Sequence, residues 1–297
     1  MRRNLLVVGS GIMGRGIAYA SAIGGYNVTL QDILEEKLTE ASDDISSYFQ
    51  KGVERAKISE NEAEAAKSRI SYSTKLEVEA TKADFVIEAV PEKIEIKRTV
   101  FETLDEHCPS DTVLATNTST MSPTEIGAFT KRPDKVIAMH FFNPVPKMKL
   151  VEIIRGLETS DETSEITKTV AVNMKKETVI VNEFPGFVTS RISSLVGNEA
   201  FNMLMEGVGT PEEIDRAIEL GLNYPMGPFK LGDMVGLDTR LSNLEYLHST
   251  LGERFRPSPL LVKYVKAGRL GKKTGRGVYD YSTQSEALRD GTKTPVN

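Results

Sequence analysis

Cysteine, histidine and excess positive charge are scarce in this sequence, and each scarcity excludes a class of protein. The 297 residues contain one cysteine, Cys108, so no disulfide can form within the chain, and no CxxC or His-rich spacing predicts a metal site. The formal net charge is −5, which provides no overall basic field for nucleic acid or an anionic membrane surface. We therefore expect no metal, no nucleic acid and no membrane as partners.

Long hydrophobic runs are also missing. No stretch reaches the roughly 20 apolar residues that a membrane-spanning helix needs. The opening MRRNLLVVGS contains two arginines and a short apolar run, but the run is too short for a secretory signal and meets glycine at once. With 39% hydrophobic and 27% charged residues, the composition predicts a globular cytoplasmic protein with one large domain or two ordinary ones.

Short apolar runs alternate with helical patterns over the first two thirds of the chain. Leu5 to Val8 are apolar without alternation, which is typical of a parallel strand buried on both faces. Strands that alternate with helices predict a parallel, doubly wound α/β sheet. The last two strand runs are joined by a proline turn, so they are expected to form an antiparallel edge. The further strand runs are YNVTL, ADFVIEAV, DTVLATNTS, DKVIAMHF and KLVEII, with helix-like stretches near 12–24, 94–107, 122–129 and 161–175.

Two regions depart from this alternation. Residues 35–68 are rich in Ala, Glu and Lys and predict a helical excursion of two helices broken near Gly52. After VIVNEFPGF the strand runs stop, and Thr210-Pro211 followed by two glutamates is a strong helix start. We therefore predict an α/β domain over 1–184 and an all-α domain over 185–297, with the polar end STQSEALRDGTKTPVN loosely held.

A glycine-rich turn follows the first strand and precedes a helix. Gly9 permits a tight turn, Gly11 lets the backbone approach a pyrophosphate, and Gly14 lets helix and strand pack closely. Asp32 ends the second strand 18 positions later, where an acid can bind the adenosine ribose and repel a 2′-phosphate. The alternative is a capping aspartate without a ligand. The constellation predicts a Rossmann-type fold that binds NAD through Gly9, Gly11, Ile12, Met13, Gly14 and Asp32.

A histidine and a glutamate stand in neighbouring apolar runs. His140 and Glu152 are 12 positions apart, and the intervening FFNPVPKMK can reverse the chain and bring them together. A carboxylate on one ring nitrogen fixes the tautomer and stabilises the imidazolium, so the other nitrogen can accept a proton. The alternative is a core histidine that a nearby acid satisfies. Next to a dinucleotide site the pair predicts the base that removes the hydroxyl proton during hydride transfer from an alcohol.

Several motifs in order along the chain resemble those of the L-3-hydroxyacyl-CoA dehydrogenases. They are VVGSGIMGRGIA, VIEAVPEKIEIK, LATNTST, MHFFNPVPKMKLVEII, FPGFVTSR, YPMGPFKLGDMVGLD and LGKKTGRGVYDY. The resemblance is strongest to the short bacterial branch that acts on 3-hydroxybutyryl-CoA. It implies NAD-dependent oxidation of a short-chain (S)-3-hydroxyacyl-CoA to the 3-oxoacyl-CoA, and the reverse.

The resemblance also implies roles for individual residues. His140 and Glu152 form the acid–base pair, and Ser119 hydrogen-bonds the substrate oxygen. Lys97 and Lys273 have the alternative of being solvated surface charges. The residues implied to contact the cofactor are Glu92, Lys97, Asn117, Ser119, Asn143 and Lys273.

The substrate side combines an implied site with a departure from the family pattern. Lys51 and Arg55, four positions apart and so on one helix face, are candidates for the CoA phosphates, with plain surface charge as the alternative. Where the family reads GFVxNR this chain reads GFVTSR, so Ser190 takes the place of an asparagine that helps hold the substrate. Asn198 lies about two turns further along a helix, too far to replace it. The helical domain is implied to form a homodimer.

Two other functions remain compatible with these residues. An NAD-linked dehydrogenase of a free hydroxy acid or sugar acid would share the first domain and the His–Glu pair. A non-catalytic dinucleotide-binding protein could use the same fold, because fold does not determine function.

Overall fold

The computed structural model describes residues 4–282, so nearly all of the polar C-terminal segment lies outside the described residues. The chain divides into two compact units, one ending at Phe184 and the other beginning at Pro185. Across residues 4–282, none of the helices has both the length and the apolar composition that crossing a membrane requires.

The described part of the first unit contains one sheet in the order β3-β2-β1-β4-β5-β6-β7-β8. All neighbouring strands are parallel except β6 and β7, which run antiparallel. The strands are β1 Asn4–Val8, β2 Asn27–Gln31, β3 Ile70–Ser73, β4 Phe85–Glu88, β5 Val113–Thr116, β6 Val136–Phe141, β7 Leu150–Arg155 and β8 Glu177–Asn182.

Helices cover both faces of this sheet. Leu5 and Val7 of β1 belong to one buried cluster, and Leu6 and Val8 belong to another, because successive side chains of a strand point to opposite faces. The doubly wound α/β class is therefore confirmed. The helices of the first unit are α1 Ile12–Ile23, α2 Glu35–Glu54, α3 Glu60–Lys67, α4 Leu76–Ala80, α5 Ile94–His107, α6 Pro123–Gly127 and α7 Asp161–Asn173.

Two details differ from the sequence-based predictions. The antiparallel pair is not the edge of the sheet, because β8 adds a further strand parallel to β7. The helical excursion breaks at residues 55–59 and not at Gly52, which is buried within α2 where a Cβ would meet Ile58 at 3.0 Å. α3 then starts on a capping box, in which Ser59 and Glu62 satisfy each other's backbone N–H groups.

The second unit is helical over its described residues, as predicted. Its core gathers large side chains from several helices, including Phe201, Phe229, Leu244 and Phe255. Thr210 caps α9 in a capping box, which confirms the predicted helix start. The helices are α8 Thr189–Glu206, α9 Pro211–Gly221, α10 Pro228–Val235, α11 Leu237–Leu251 and α12 Pro259–Lys266.

Candidate active site

The glycine turn lies between β1 and the N-terminus of α1. Gly9 has φ +98°, and a Cβ there would lie 2.8 Å from the Ala89 carbonyl oxygen. A Cβ on Gly14 would overlap the Gly9 carbonyl, whereas a Cβ on Gly11 would meet nothing within 4 Å. The fold itself therefore requires glycine at positions 9 and 14. At Gly11 the fold leaves the backbone open, as a close approach by a pyrophosphate would require.

The start of α1 is suited to a phosphate. Gly11 is its N-cap and supplies no side-chain hydrogen bond, so the first backbone N–H groups of the helix have no side-chain cap. These groups and the positive end of the helix dipole attract an anion. Ile12 and Met13 begin this helix, and the side chain of Ile12 is 61% exposed next to the turn.

Asp32 follows β2 directly and contacts the glycine turn. Its Oδ2 accepts hydrogen bonds from the Ser10 backbone N–H and from the Ser10 hydroxyl, each at 2.8 Å. Its Oδ1 accepts a longer bond of 3.3 Å from the Leu34 N–H. The carboxylate is thus held beside the phosphate-binding end of α1. The open backbone at Gly11, the uncapped helix and this acid together fit a dinucleotide.

His140 and Glu152 are paired across β6 and β7. They are direct partners in the antiparallel register, so their side chains lie on the same face of the sheet. His140 Nδ1 lies 2.8 Å from Glu152 Oε2, and Phe142 packs against the imidazole with a centroid distance of 4.5 Å. Glu152 is fully buried and His140 is 5% exposed. The two residues therefore satisfy each other in a place where a lone charge would be very costly.

The segment after β5 is hydrogen-bonded to the end of β6, the strand that carries His140. Asn117 accepts a hydrogen bond from the Phe141 N–H at 2.9 Å through its side-chain oxygen, which joins the ends of β5 and β6. Ser119 is partly buried, and its backbone N–H donates to Glu92 Oε1 at 3.0 Å. The predicted substrate residue Ser119 and the predicted cofactor residue Glu92 are therefore direct neighbours.

Lys97 is not a solvated surface charge. It is fully buried, and its Nζ lies 2.8 and 2.9 Å from the two carboxylate oxygens of Glu88. The same Nζ lies 3.2 Å from Glu92 Oε2. Burial raises the pKa of the Glu88 carboxyl, and the hydrogen bonds from Lys97, Thr116 and the Val90 N–H oppose that rise. Sequence reasoning missed Glu88, although a carboxylate inside the apolar run FVIEAV was a visible signal.

Asn143 and the two CoA candidates of the first unit are all exposed. Asn143 lies in the turn between β6 and β7, just after Phe142. Lys51 belongs to the last turn of α2, but Arg55 is the residue that ends this helix, with φ −95° and ψ 10°. The Arg55 N–H still donates to the Lys51 carbonyl at 3.3 Å, so both residues stand at the same end of α2, and their role with CoA stays a prediction.

Two predicted residues belong to the second unit. Ser190 is in the first turn of α8 and is partly buried. Lys273 pairs with Asp238 at 2.6 Å and is 47% exposed. The amide of Asn198 is engaged within this unit, because it donates to the Arg256 carbonyl at 2.9 Å and accepts from the Ser258 N–H at 2.8 Å. Asn198 is therefore committed to the packing of its own unit.

The segment around Lys273 is held by two buried aspartates. Asp233 accepts hydrogen bonds from the Val278 and Tyr279 N–H groups, each at 2.9 Å. Asp215 accepts from the Tyr279 hydroxyl at 2.8 Å.

Within residues 4–282, no group of three or more His, Cys, Asp or Glu side chains is arranged to hold a metal ion.

A doubly wound sheet with a phosphate-binding glycine turn and an acid after β2 defines a dinucleotide-binding protein of the dehydrogenase type. The family model of the 3-hydroxyacyl-CoA dehydrogenase NAD binding domain matches residues 4–184, and that of the C-terminal domain matches residues 186–281. The chain thus belongs to the 3-hydroxyacyl-CoA dehydrogenase family, as its motifs indicated, and is an NAD-dependent oxidoreductase.

Individual relatives match along almost their whole length. A probable 3-hydroxybutyryl-CoA dehydrogenase of Bacillus subtilis is 49% identical over 284 residues, which is 95% of this chain and 99% of that protein. A 3-hydroxybutyryl-CoA dehydrogenase of Bradyrhizobium diazoefficiens is 42% identical, covering 93% and 94%. The crystal structure of (S)-3-hydroxybutyryl-CoA dehydrogenase PaaH1 from Ralstonia eutropha is similar with a TM-score of 0.90 at 41% identity, covering 95% and 99%.

Proposed function

We propose that this protein interconverts (S)-3-hydroxybutyryl-CoA and acetoacetyl-CoA with NAD. The names of the similar proteins support the substrate, and the family supports the acyl-CoA class. The observation that carries the mechanism is the buried contact of 2.8 Å between His140 and Glu152. A buried, oriented imidazole is the group that this reaction needs for its proton.

Oxidation separates the two hydrogens of the alcohol. The C3 hydrogen leaves as a hydride, for which NAD held at the glycine turn would be the acceptor. His140 takes the hydroxyl proton on Nε2, the ring nitrogen opposite the one that Glu152 contacts, while the C3–O bond becomes a carbonyl. Glu152 holds Nδ1–H and stabilises the imidazolium that forms. In reduction the imidazolium returns this proton to the carbonyl oxygen.

The surrounding residues orient the reactants. We assign the Ser119 hydroxyl to a hydrogen bond with the substrate oxygen, where it stabilises the charge that develops during hydride transfer. Ser190 contributes a second polar group in the place of the family's asparagine. Lys51 and Arg55, exposed at the same end of α2, are assigned to the CoA phosphates.

The cofactor roles divide between the two ends of NAD. The glycine turn and α1 hold the pyrophosphate, and Asp32 binds the adenosine ribose. Asn143 and Asn117 serve the nicotinamide end. The Lys97 amine is fully buried against Glu88, so we assign this residue no direct contact with NAD. Its role is to hold its neighbour Glu92 in place. The roles of Glu92 and Lys273 as cofactor contacts follow from the family resemblance.

We further propose a homodimer formed through the helical unit, in a cytoplasmic location where NAD and CoA thioesters occur. The dimer follows from the family resemblance, and the helical unit has several apolar side chains that are more than half exposed. The native mass measured by light scattering tests it. The apolar side chains of the helical unit that are more than half exposed are Val188, Ile192, Val208, Leu220 and Leu222.

A substrate and cofactor series tests the reaction. We expect turnover of acetoacetyl-CoA with NADH, slower turnover with NADPH, and a decline as the acyl chain lengthens. Turnover of free acetoacetate with similar efficiency would instead favour a dehydrogenase of free hydroxy acids. Absence of turnover with every CoA thioester would favour a non-catalytic protein on this fold.

A further inference from the structure

One fully buried acid has no part in the mechanism described above. Glu88 is the last residue of β4, whose other residues, Phe85 to Ile87, are all buried and apolar. None of the Glu88 side chain is exposed. An ionised carboxylate in this position is costly unless several groups compensate it.

The groups that compensate Glu88 come from three separate segments. Lys97 of α5 contacts both of its oxygens, and the Val90 N–H donates to Oε1 at 2.7 Å. Thr116, its register partner on β5, donates its hydroxyl to Oε2 at 2.6 Å. Glu88 therefore joins the helix after β4, the turn before that helix and the neighbouring strand at a single carboxylate.

The same contacts continue to the proposed substrate residue. Lys97 lies 3.2 Å from Glu92 Oε2, so one ammonium group is shared between two carboxylates. Glu92 accepts from the Ser119 N–H at 3.0 Å and also from the Thr118 hydroxyl. The backbone of Ser119 is thus tied to Glu88 through two intervening side chains.

We propose that Glu88 is a positioning residue, which sets the place of Lys97 and, through Glu92, the orientation of the Ser119 turn at the active site. The inference rests on the proposed function, because it assumes that Ser119 contacts the substrate oxygen. Its basis is the continuous series of contacts of 2.8, 3.2 and 3.0 Å from Glu88 to the Ser119 N–H.

The charge of Glu88, and not only its shape, is required for this role. A glutamine at position 88 has nearly the same shape, and its oxygen can still accept from the Val90 N–H. Its amide nitrogen would then face the Lys97 ammonium, which donates only and cannot accept a hydrogen bond. Lys97 would lose one of its two carboxylates and move toward Glu92. The Ser119 turn, which depends on Glu92, would move with it.

The test compares Glu88→Gln, Lys97→Met and the double variant in the full-length protein. A displacement of about 1 Å in a catalytic group can cost about 10²-fold, so we expect Glu88→Gln to lower kcat about 10-fold to 10²-fold. KM for acetoacetyl-CoA should change less than kcat, because Lys51 and Arg55 are unaffected. The effects should be non-additive, so adding Glu88→Gln to Lys97→Met should not lower kcat any further.

A matched control separates positioning from loss of stability. Asp105→Asn removes a different, partly buried ion pair of the same unit, between Asp105 and Arg132 at 2.8 Å, which has no contact with Ser119 or Glu92. It should lower the melting temperature and leave kcat unchanged. Thr116→Val removes one hydrogen bond to Glu88 with little change of shape, and it should lower kcat about 3-fold even if Glu88→Gln fails to fold.

Three results would overturn the inference. Wild-type kcat in a folded Glu88→Gln variant would show that its charge does not position the site. Additive losses in the double variant would show that Glu88 does not act through Lys97. Wild-type kcat in Thr116→Val would show that the placement of the Glu88 carboxylate does not affect the site. Inactivity of the wild-type protein toward all CoA thioesters would instead refute the proposed function, so the two failures are distinguishable.

Discussion

Replacing Glu152 by glutamine removes one charge from the proposed acid–base pair and preserves its shape. The contact at 2.8 Å is fully buried on the Glu152 side, so water cannot replace the lost carboxylate. A hydrogen bond to a charged group contributes about 1.5–3 kcal/mol. If that stabilisation applies to the imidazolium formed in the transition state, kcat should fall about 10-fold to 150-fold.

The direction of the pH effect follows from the same contact. Reduction of acetoacetyl-CoA begins from the imidazolium, which an amide stabilises less than a carboxylate does. Reduction by Glu152→Gln should therefore need a lower pH than reduction by the wild-type protein. The assay is NADH absorbance in both directions across a pH series, with purified protein at saturating substrate.

Two further variants serve as the positive and the negative control for this experiment. His140→Ala removes the base itself and should lower kcat by at least about 10²-fold. Glu162→Gln removes a carboxylate from the exposed pair with Lys135 at 3.0 Å, and it should have no effect on rate or pH dependence. A Glu152→Gln variant with wild-type kcat and an unchanged pH profile would refute the reasoning. The pair would then be a structural contact of the core.

Three other predictions concern the cofactor, the substrate and stability. Asp32→Ser should raise KM for NAD and relieve the repulsion of NADP, measured as kcat/KM with each cofactor. Ser190→Asn should keep or raise kcat/KM and Ser190→Ala should lower it; an alanine variant equal to wild type would remove Ser190 from the site. Burial lowers the pKa of Lys176, which donates to the Val145 and Met148 carbonyls, to about 8. In the unfolded chain the pKa of a lysine is about 10.4, so between pH 8 and this value the unfolded chain binds one more proton than the folded protein. The free energy of unfolding relative to Lys176→Met should therefore rise with pH from about 8 to about 10.4, as measured by urea unfolding.

Strands that are buried on both faces were the most predictable part of the fold. β1, β4 and β5 are apolar except for one polar residue at one end of each strand, because each packs against helices above and below. β3 and β8 escaped prediction, since their residues are largely exposed or partly exposed and the short sequence ISYS carries no apolar pattern. Their place in the sheet depends on tertiary pairing with β2 and β7, which single-sequence patterns do not express.

Residues of the site were predictable where the sequence showed an ionisable group among apolar ones. His140 and Glu152 gave that signal in adjacent runs, and the antiparallel register explains why they meet. Lys97 was open to the wrong interpretation as a surface charge, although it shares a helical face with Phe101 and Leu104, four and seven positions later. That spacing indicated burial, but the identity of its partner Glu88 depended on how α5 packs against β4.

Buried charges are the strongest argument that the carboxyl ends of the parallel strands are arranged for chemistry. A buried ion pair often adds nothing to stability compared with apolar side chains of similar size, because desolvation offsets the attraction. A chain selected only to fold would have no need of Glu88 and Lys97, or of His140 and Glu152, among apolar neighbours. Both pairs nevertheless lie near the carboxyl ends of strands β4 and β6, where parallel sheets bind their ligands. The fold therefore accepts charges that it does not require for stability, and the proposed reaction supplies the reason for keeping them.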